Sequence, residues 1–307
     1  MKDNIYFDHK NHEFSLRDRK YKEENYADVK LPISIIVQVT RRCNLVCNFC
    51  SESAQFSDPT FDELEQLKYK LNGVKRIYLS GGEPLLRDDI FDIINSYRKN
   101  FEVLGLPSNC ILMSKEVCEK LKGNINYINA GLDGPRIIND QVRGNYDGII
   151  NGLINLKNSN IEVSLSSVIL KLTLPHLKYV IHTADVLDII KVKMVIPILR
   201  GRAHNLRLED FADKEDIMNK FNEIKELKNK LGWKPRVKFT FWDNSTEGYA
   251  LIIYPNQKVY AWPVFNAQDS VSYIGDLKKE SIYEIWKKYP YKINHINKYV
   301  GISMYKI

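Results

Sequence analysis

The sequence predicts an α/β fold: a partial (β/α)6 barrel, TIM-like in its strand–helix alternation, with a small α+β extension at the C-terminus. Three observations support this expectation. Short β-branched runs alternate with amphipathic helical segments six times between about residues 33 and 199. Such repeats imply a parallel sheet covered by helices, and right-handed crossovers curl it into a complete or partial barrel. The rhythm then breaks after a charged helical segment near 213–231. Finally, two unusual segments, "TRRCNLVCNFCSES" (40–53) and "SGGEP" (80–84), directly follow the first and second predicted strands, where such folds carry their reactive loops.

Taken in order, "ISIIVQV" (33–39) is the first strand. "DPTFDELEQLKYKL" (58–71) is a helix, with Asp58 expected as N-cap, Pro59 at the first helical position, and Leu64, Leu67 and Leu71 on one face. "VKRIYLS" (74–80) is the second strand, and a helix (88–100) leads to the third, "FEVLGLPS" (101–108). The short helix "SKEVCEKL" (114–121) precedes a fourth strand at 125–132. A helix at 146–158 and a fifth strand, "IEVSLSSVIL" (161–170), follow. A helix near 175–186 then leads to the sixth strand, "IKVKMVIPIL" (190–199). Beyond the charged helix, "YALIIYPNQKVYAW" (249–262) reads as a hairpin. Residues 272–289 read as a strand leading to a helix capped by Ser281, with Glu284 completing a capping box. The expected organisation is a polar arm (1–30), a core barrel (31–232) and an extension (233–307).

Composition excludes several classes. The chain of 307 residues is 44% hydrophobic and 27% charged, with no 18-residue apolar run that could span a membrane. Its first residues lack the apolar core of a signal peptide, so a cytoplasmic protein without a membrane partner is expected. The net charge of +7 is interleaved along the sequence, as in a solvated lysine-rich surface. It implies no nucleic-acid partner, although it could help hold an acidic or phosphorylated substrate.

Three of the five cysteines, Cys43, Cys47 and Cys50, lie in C-x3-C-x2-C spacing. Structural zinc takes four protein ligands, usually as two spaced pairs. No second pair follows, and His9 and His12 lie before the first strand. An iron–sulfur cube fits better: three thiolates hold three irons and leave the fourth open to an exogenous ligand.

"CNLVCNFC" and "SGGEP" together resemble the two hallmarks of the radical S-adenosylmethionine superfamily, over roughly residues 31–200. The resemblance implies one [4Fe–4S] cluster on Cys43, Cys47 and Cys50, with S-adenosylmethionine chelating the unique iron. Reductive cleavage would yield a 5′-deoxyadenosyl radical that takes a hydrogen from a substrate carbon in a closed cavity. By motif position, Phe49 would contact adenine, Gly81 and Gly82 would allow close backbone approach, and Glu83 would receive the methionine ammonium. "GLDGPRIINDQVRG" (131–144) resembles a further family segment, which makes Arg143 a candidate for the cofactor carboxylate. Gly131 stands where relatives often have serine. Ser164, Ser166 and the backbone around Ile196 are candidates for the ribose or adenine side. "PILRGRA" (197–203) resembles a segment of peptide-modifying relatives.

The C-terminal segment resembles a SPASM/twitch extension, but Trp262 or Pro263 stands where that module has a cysteine, and no cysteine follows Cys118. The expectation is a retained scaffold that closes the barrel mouth without a second cluster, with Trp242 and Trp262 as candidates for lining the substrate cavity. Cys118 reads as a small buried hydrophobe. Cys110, in "SNC" where relatives often have Thr/Ser-Asn-Gly, is a candidate hydrogen donor to a substrate radical. The resemblance implies modification of a ribosomal peptide, by epimerisation or cross-linking. It also allows a small natural-product substrate such as a sugar or nucleoside, and from another class a non-catalytic iron–sulfur electron-transfer protein. An external electron donor of flavodoxin or ferredoxin type is implied.

Overall fold

The computed structural model describes residues 5–8, 13–16, 31–52, 57–240, 250–262, 273–289 and 305–307. Within the N-terminal arm, β1 (Ile5–Asp8) and β2 (Glu13–Leu16) pair as an antiparallel hairpin, a small sheet of its own. Every other described strand belongs to one eleven-stranded sheet.

Seven consecutive strands form its parallel centre: β3 (Ser34–Thr40), β4 (Arg76–Gly81), β5 (Val103–Ser108), β6 (Tyr127–Gly131), β7 (Val163–Val168), β8 (Lys191–Val195) and β9 (Arg236–Thr240). Each neighbours the next in sequence order, and the series has two distinct ends, so the barrel is partial. Sequence reasoning counted six strands and assigned "RVKFT" to the extension. The ladder from Lys191↔Arg236 to Val195↔Thr240 makes it a seventh member of the parallel series. Its alternation of cations with Val237 and Phe239 lacks the continuous apolar run usual for a strand buried on both faces.

The helices between the strands are α1 (Phe61–Lys70), α2 (Ile90–Arg98), α3 (Lys115–Leu121), α4 (Arg136–Val142), α5 (Tyr146–Asn158), α6 (Leu177–Val186) and α7 (Lys214–Leu231). Their apolar stripes and alternate strand residues such as Ile35, Leu79, Leu104, Val192 and Phe239 form one core on the outer face of the sheet. Because side chains alternate across a strand, the intervening residues lie on the concave face, and these are largely polar. The N-cap of α1 is Thr60, whose hydroxyl accepts from Glu63 N while Glu63 accepts from Thr60 N, a full capping box. The expected N-cap, Asp58, instead turns back to the end of β3: it accepts from Thr40 Oγ1 at 2.7 Å, Arg41 N at 2.8 Å and Arg42 Nε at 3.0 Å.

The C-terminal elements follow the predicted pattern but add to the sheet. β10 (Ala250–Ile253) runs parallel against β3, and β11 (Lys258–Trp262) and β12 (Tyr273–Asp276) continue antiparallel beyond it. The short helix α8 (Ile282–Lys287) carries the expected Ser281–Glu284 capping box. At the opposite edge β13 (Tyr305–Lys306) pairs antiparallel with β9. Trp242, Pro263 and the side chain of Trp262 lie outside the described residues.

Candidate active site

The C-terminal ends of β3 to β7 enclose a cavity of about 310 Å³. Cys43, Cys47 and Cys50, all on the loop after β3, line it together with Phe49, Gly81, Gly82, Arg143 and Ser166. Seven expected positions of the family motifs and one serine candidate thus converge on one space. Among the described residues no group of three His, Cys, Asp or Glu side chains is set to hold a single metal ion. A cluster spreads its ligands over three irons, so three thiols around an open cavity fit a cube and not a mononuclear site. Burial pushes the thiols of Cys43 and Cys47 up, Cys47 to about 11. Metal binding must displace those protons.

Two glycines lock the second motif onto this loop. Gly82 N donates to Thr40 O at 3.0 Å and Glu83 N to Arg42 O at 2.8 Å. A Cβ on Gly82 would overlap Arg42 O and come within 2.9 Å of Cys43 Cβ. The close approach they permit is therefore between two stretches of backbone.

Glu83 lies just behind the cavity wall. It is fully buried and does not line the cavity. Its carboxylate faces the end of β5, accepting from Asn109 N at 2.7 Å, Ser108 Oγ at 3.0 Å and Leu85 N at 3.2 Å. Desolvation raises its pKa to about 7 against the lowering effect of those donors. In this conformation Glu83 fixes the Ser108–Asn109 turn, and its expected contact with the methionine ammonium is a proposal. Asn109, which reasoning from sequence passed over, lines the cavity and donates from Nδ2 to Asn44 Oδ1 at 2.6 Å, tying this turn to the cysteine loop.

Cys110 lies behind the same wall. It is fully buried, does not line the cavity, and its Sγ lies 3.7 Å from Ser108 O. Its φ of +65° is the left-handed conformation that relatives supply with glycine. Gly152 of α5 packs directly on its carbonyl. Cys118 is buried as expected.

Arg143 is held from three sides. Its Nε donates to Asp133 Oδ2 at 2.8 Å, and its guanidinium carbon sits 5.0 Å from the centre of the Phe49 ring. A Cβ at Gly131 would overlap its guanidinium. The missing serine is thus the space that Arg143 occupies. Burial works against its charge, but the Asp133 carboxylate raises its pKa above the usual arginine value. Asp133, fully buried, also accepts from Val168 N at 2.7 Å and was missed from sequence.

Ser166 lines the cavity, whereas Ser164 lies one level deeper on β7, buried, its Oγ without a hydrogen-bond partner among the described residues. Ile196 does not line the cavity: its N donates to Thr240 O at 3.4 Å and its side chain packs on the main core. Both lie in the barrel wall, outside the lining of this cavity.

At the mouth, Glu52 pairs with Arg41 Nη1 at 2.7 Å and with Arg200 Nη1 at 4.0 Å, and accepts from Tyr254 Oη at 3.2 Å. Both guanidinium groups lie over the Tyr254 ring, at 5.4 and 5.0 Å. Tyr254 directly follows β10, so the C-terminal extension reaches the mouth through this one ring. Arg202 lines the cavity and donates to Cys47 O at 2.9 Å, while Gly201 packs against the backbone of Cys50 and Ser51. Arg41, Arg200 and Arg202 lie inside segments quoted from the sequence, but the meeting of Arg41 and Arg200 at Glu52 and Tyr254 carries no local signature.

Comparison with known proteins bears on this site. The family model of the Radical SAM superfamily matches residues 37–184. The GTP 3',8-cyclase of Staphylococcus epidermidis is 26% identical over 213 residues, covering 64% of this chain and 55% of the cyclase. The Fe-coproporphyrin III synthase of Methanosarcina barkeri is 28% identical over 202 residues, 62% of this chain and 50% of the synthase. The chain thus spans about half the length of these curated relatives. Among solved structures, Streptococcus suis SuiB bound to precursor peptide SuiA superposes with a TM-score of 0.71 at 14% identity, covering 86% of this chain and 66% of that one. Native anSMEcpe with bound AdoMet gives 0.67 at 16% identity, over 88% and 85%. At such identities these likenesses show the fold.

Proposed function

Residues 37–184 place this chain in the Radical SAM superfamily, and from that premise we propose that it is an enzyme abstracting hydrogen from an unactivated carbon. The observation that carries this reading is the convergence of Cys43, Cys47 and Cys50 with Gly81, Gly82, Phe49 and Arg143 on one cavity. When bound, a [4Fe–4S] cluster and S-adenosylmethionine supply a 5′-deoxyadenosyl radical there. The three thiolates hold the cluster, leaving one iron for the cofactor. Arg143, oriented by Asp133 and Phe49, presents its remaining N–H donors to the cofactor carboxylate. Phe49 offers its ring to the adenine. Asn109, Asn129 and Ser166 supply polar contacts at the cavity floor. An electron-transfer module would need no such enclosed space beside its cluster, and this favours the enzyme. The electron comes from an external flavodoxin or ferredoxin-like donor in this reading.

Two substrate classes remain in play. Modification of a ribosomal peptide is supported by the fold shared with SuiB, whose structure holds a precursor peptide. A small natural-product substrate such as a sugar or nucleoside is supported by the GTP in the name of the S. epidermidis relative. The reaction itself is tested by anaerobic reconstitution, dithionite and S-adenosylmethionine. The expected product is 5′-deoxyadenosine, with about four irons per chain. Equal product from Cys47→Ala would overturn the proposal.

A further inference from the structure

The loop after β8 grips the second half of the cysteine loop. Four consecutive residues, Arg200 to Ala203, all contact it. Arg200 pairs with Glu52 at 4.0 Å. Gly201 has a φ of +59°, in the left-handed region, and a Cβ there would fall 2.7 Å from Ser51 C and 2.8 Å from Cys50 O. Arg202 Nε donates to Cys47 O at 2.9 Å, and the N–H of the buried Ala203 donates to Cys50 O at 3.3 Å. Two of the three clustered cysteines are thus held by their carbonyls from a distant strand end, since β4 to β7 lie between β3 and β8 in the sheet.

Arg202 differs from the other arginines of the cavity. Arg143 is paired with Asp133, and Arg41 with Glu52. Arg202 lines the same cavity, half-buried, and among the described residues no carboxylate is paired with it. Its Nε is engaged by Cys47 O, so the side chain is fixed while its charge is not balanced by an ion pair. The potential of an iron–sulfur cluster follows net charge, hydrogen bonding and solvent exposure. Taking up one electron makes a cluster one unit more negative, with no bond formed or broken. A fixed cation beside it favours that reduced form, and a partly enclosed cavity weakens the attraction less than open water does.

We propose that Arg202 is a positioning residue of the cluster site with two separable parts. Its Nε holds the Cys47 turn in place, and its guanidinium charge raises the potential at which the cluster accepts an electron from an external donor. The proposal rests on the reading of Cys43, Cys47 and Cys50 as cluster ligands given above. It assigns the segment "PILRGRA" (197–203) to the far wall of the cluster site, whatever the substrate.

Substitution separates the two parts. Glutamine Nε2 stands as many bonds from Cα as arginine Nε, so Arg202→Gln keeps a donor for Cys47 O and removes the charge. Methionine has a methyl group at that place, so Arg202→Met removes both. Arg207→Gln removes one charge from an exposed side chain farther along the chain. Each full chain is reconstituted anaerobically, assayed for iron, and titrated with dithionite while electron paramagnetic resonance follows the reduced cluster. Wild type and Arg207→Gln should carry about four irons per chain and share one midpoint potential. Arg202→Gln should keep its iron and move the midpoint by about 59 mV to more negative values, a tenfold change in a one-electron equilibrium. Arg202→Met should retain less than about half of the iron, with far-ultraviolet circular dichroism unchanged.

An unchanged midpoint in Arg202→Gln overturns the role of the charge. Full iron in Arg202→Met overturns the role of Nε, as does iron loss in Arg202→Gln equal to that in Arg202→Met. A wild-type chain that takes up no iron overturns this proposal together with the cluster reading. The expected iron contents and midpoint shift without any 5′-deoxyadenosine from the wild-type chain strike the radical reading alone.

Discussion

Asp133 shows how much of this site depends on single buried groups. It has no exposure, and its two oxygens hold Val168 N and Arg143 Nε. Asp133→Ala would leave a mostly buried guanidinium without its counter-charge, so a loss of about 3–5 kcal/mol is expected in urea unfolding of the apoprotein. A loss under 1 kcal/mol would show that water replaces the carboxylate. Asp58 gives a pH prediction. Partial burial pushes its carboxyl up, but donors on Arg41, Thr40 and Arg42 outweigh this and hold it below its ordinary value of 3.8. A depressed carboxylate stabilises the fold above its unfolded pKa and loses that contribution as pH falls through the folded one. Wild-type stability should therefore fall more steeply below pH ~4 than that of Asp58→Asn, measured by thermal unfolding across pH.

At the scale of elements, the cysteine loop and the loop after β4 are one unit. Gly82 permits their contact, and the carbonyl it faces is backbone, which cannot swing aside as a long side chain would. Gly82→Ala should displace the cysteine loop and lower bound iron after reconstitution to less than half of the wild-type value, with far-ultraviolet circular dichroism unchanged. The same logic explains Glu83: it cross-links the third loop of the set, after β5, to the second. The active-site wall is thus built by three successive strand ends bracing one another.

For the molecule as a whole, β8 and β9 complete the parallel series against their covering helix α7. Phe239 is fully buried against Phe221 of α7. Phe239→Ala should cost about 3–5 kcal/mol, read as a lowered urea midpoint with the cooperativity of the transition retained. An unchanged midpoint would mean that β9 is not integral to the fold. The C-terminal strands meanwhile extend the sheet from β3, and Tyr254 brings them to the mouth.

Local pattern was enough for the helices other than α4, for strands β3 to β8 and for the two cofactor motifs, because periodicity and loop position relative to a strand end are properties of neighbouring residues. Cys43, Cys47, Cys50, Phe49, Gly81, Gly82 and Arg143 were legible for the same reason. The sequence by itself determined a parallel α/β fold with a three-thiol cavity at its C-terminal face. Which side of the wall each residue faces was decided only by tertiary structure. Glu83 and Cys110 lie within recognised motifs yet turn inward, because the end of β5 supplies the donors for one and the packing of α5 closes over the other. Asp133 found Arg143, and Glu52 found Tyr254, only when distant strands became neighbours.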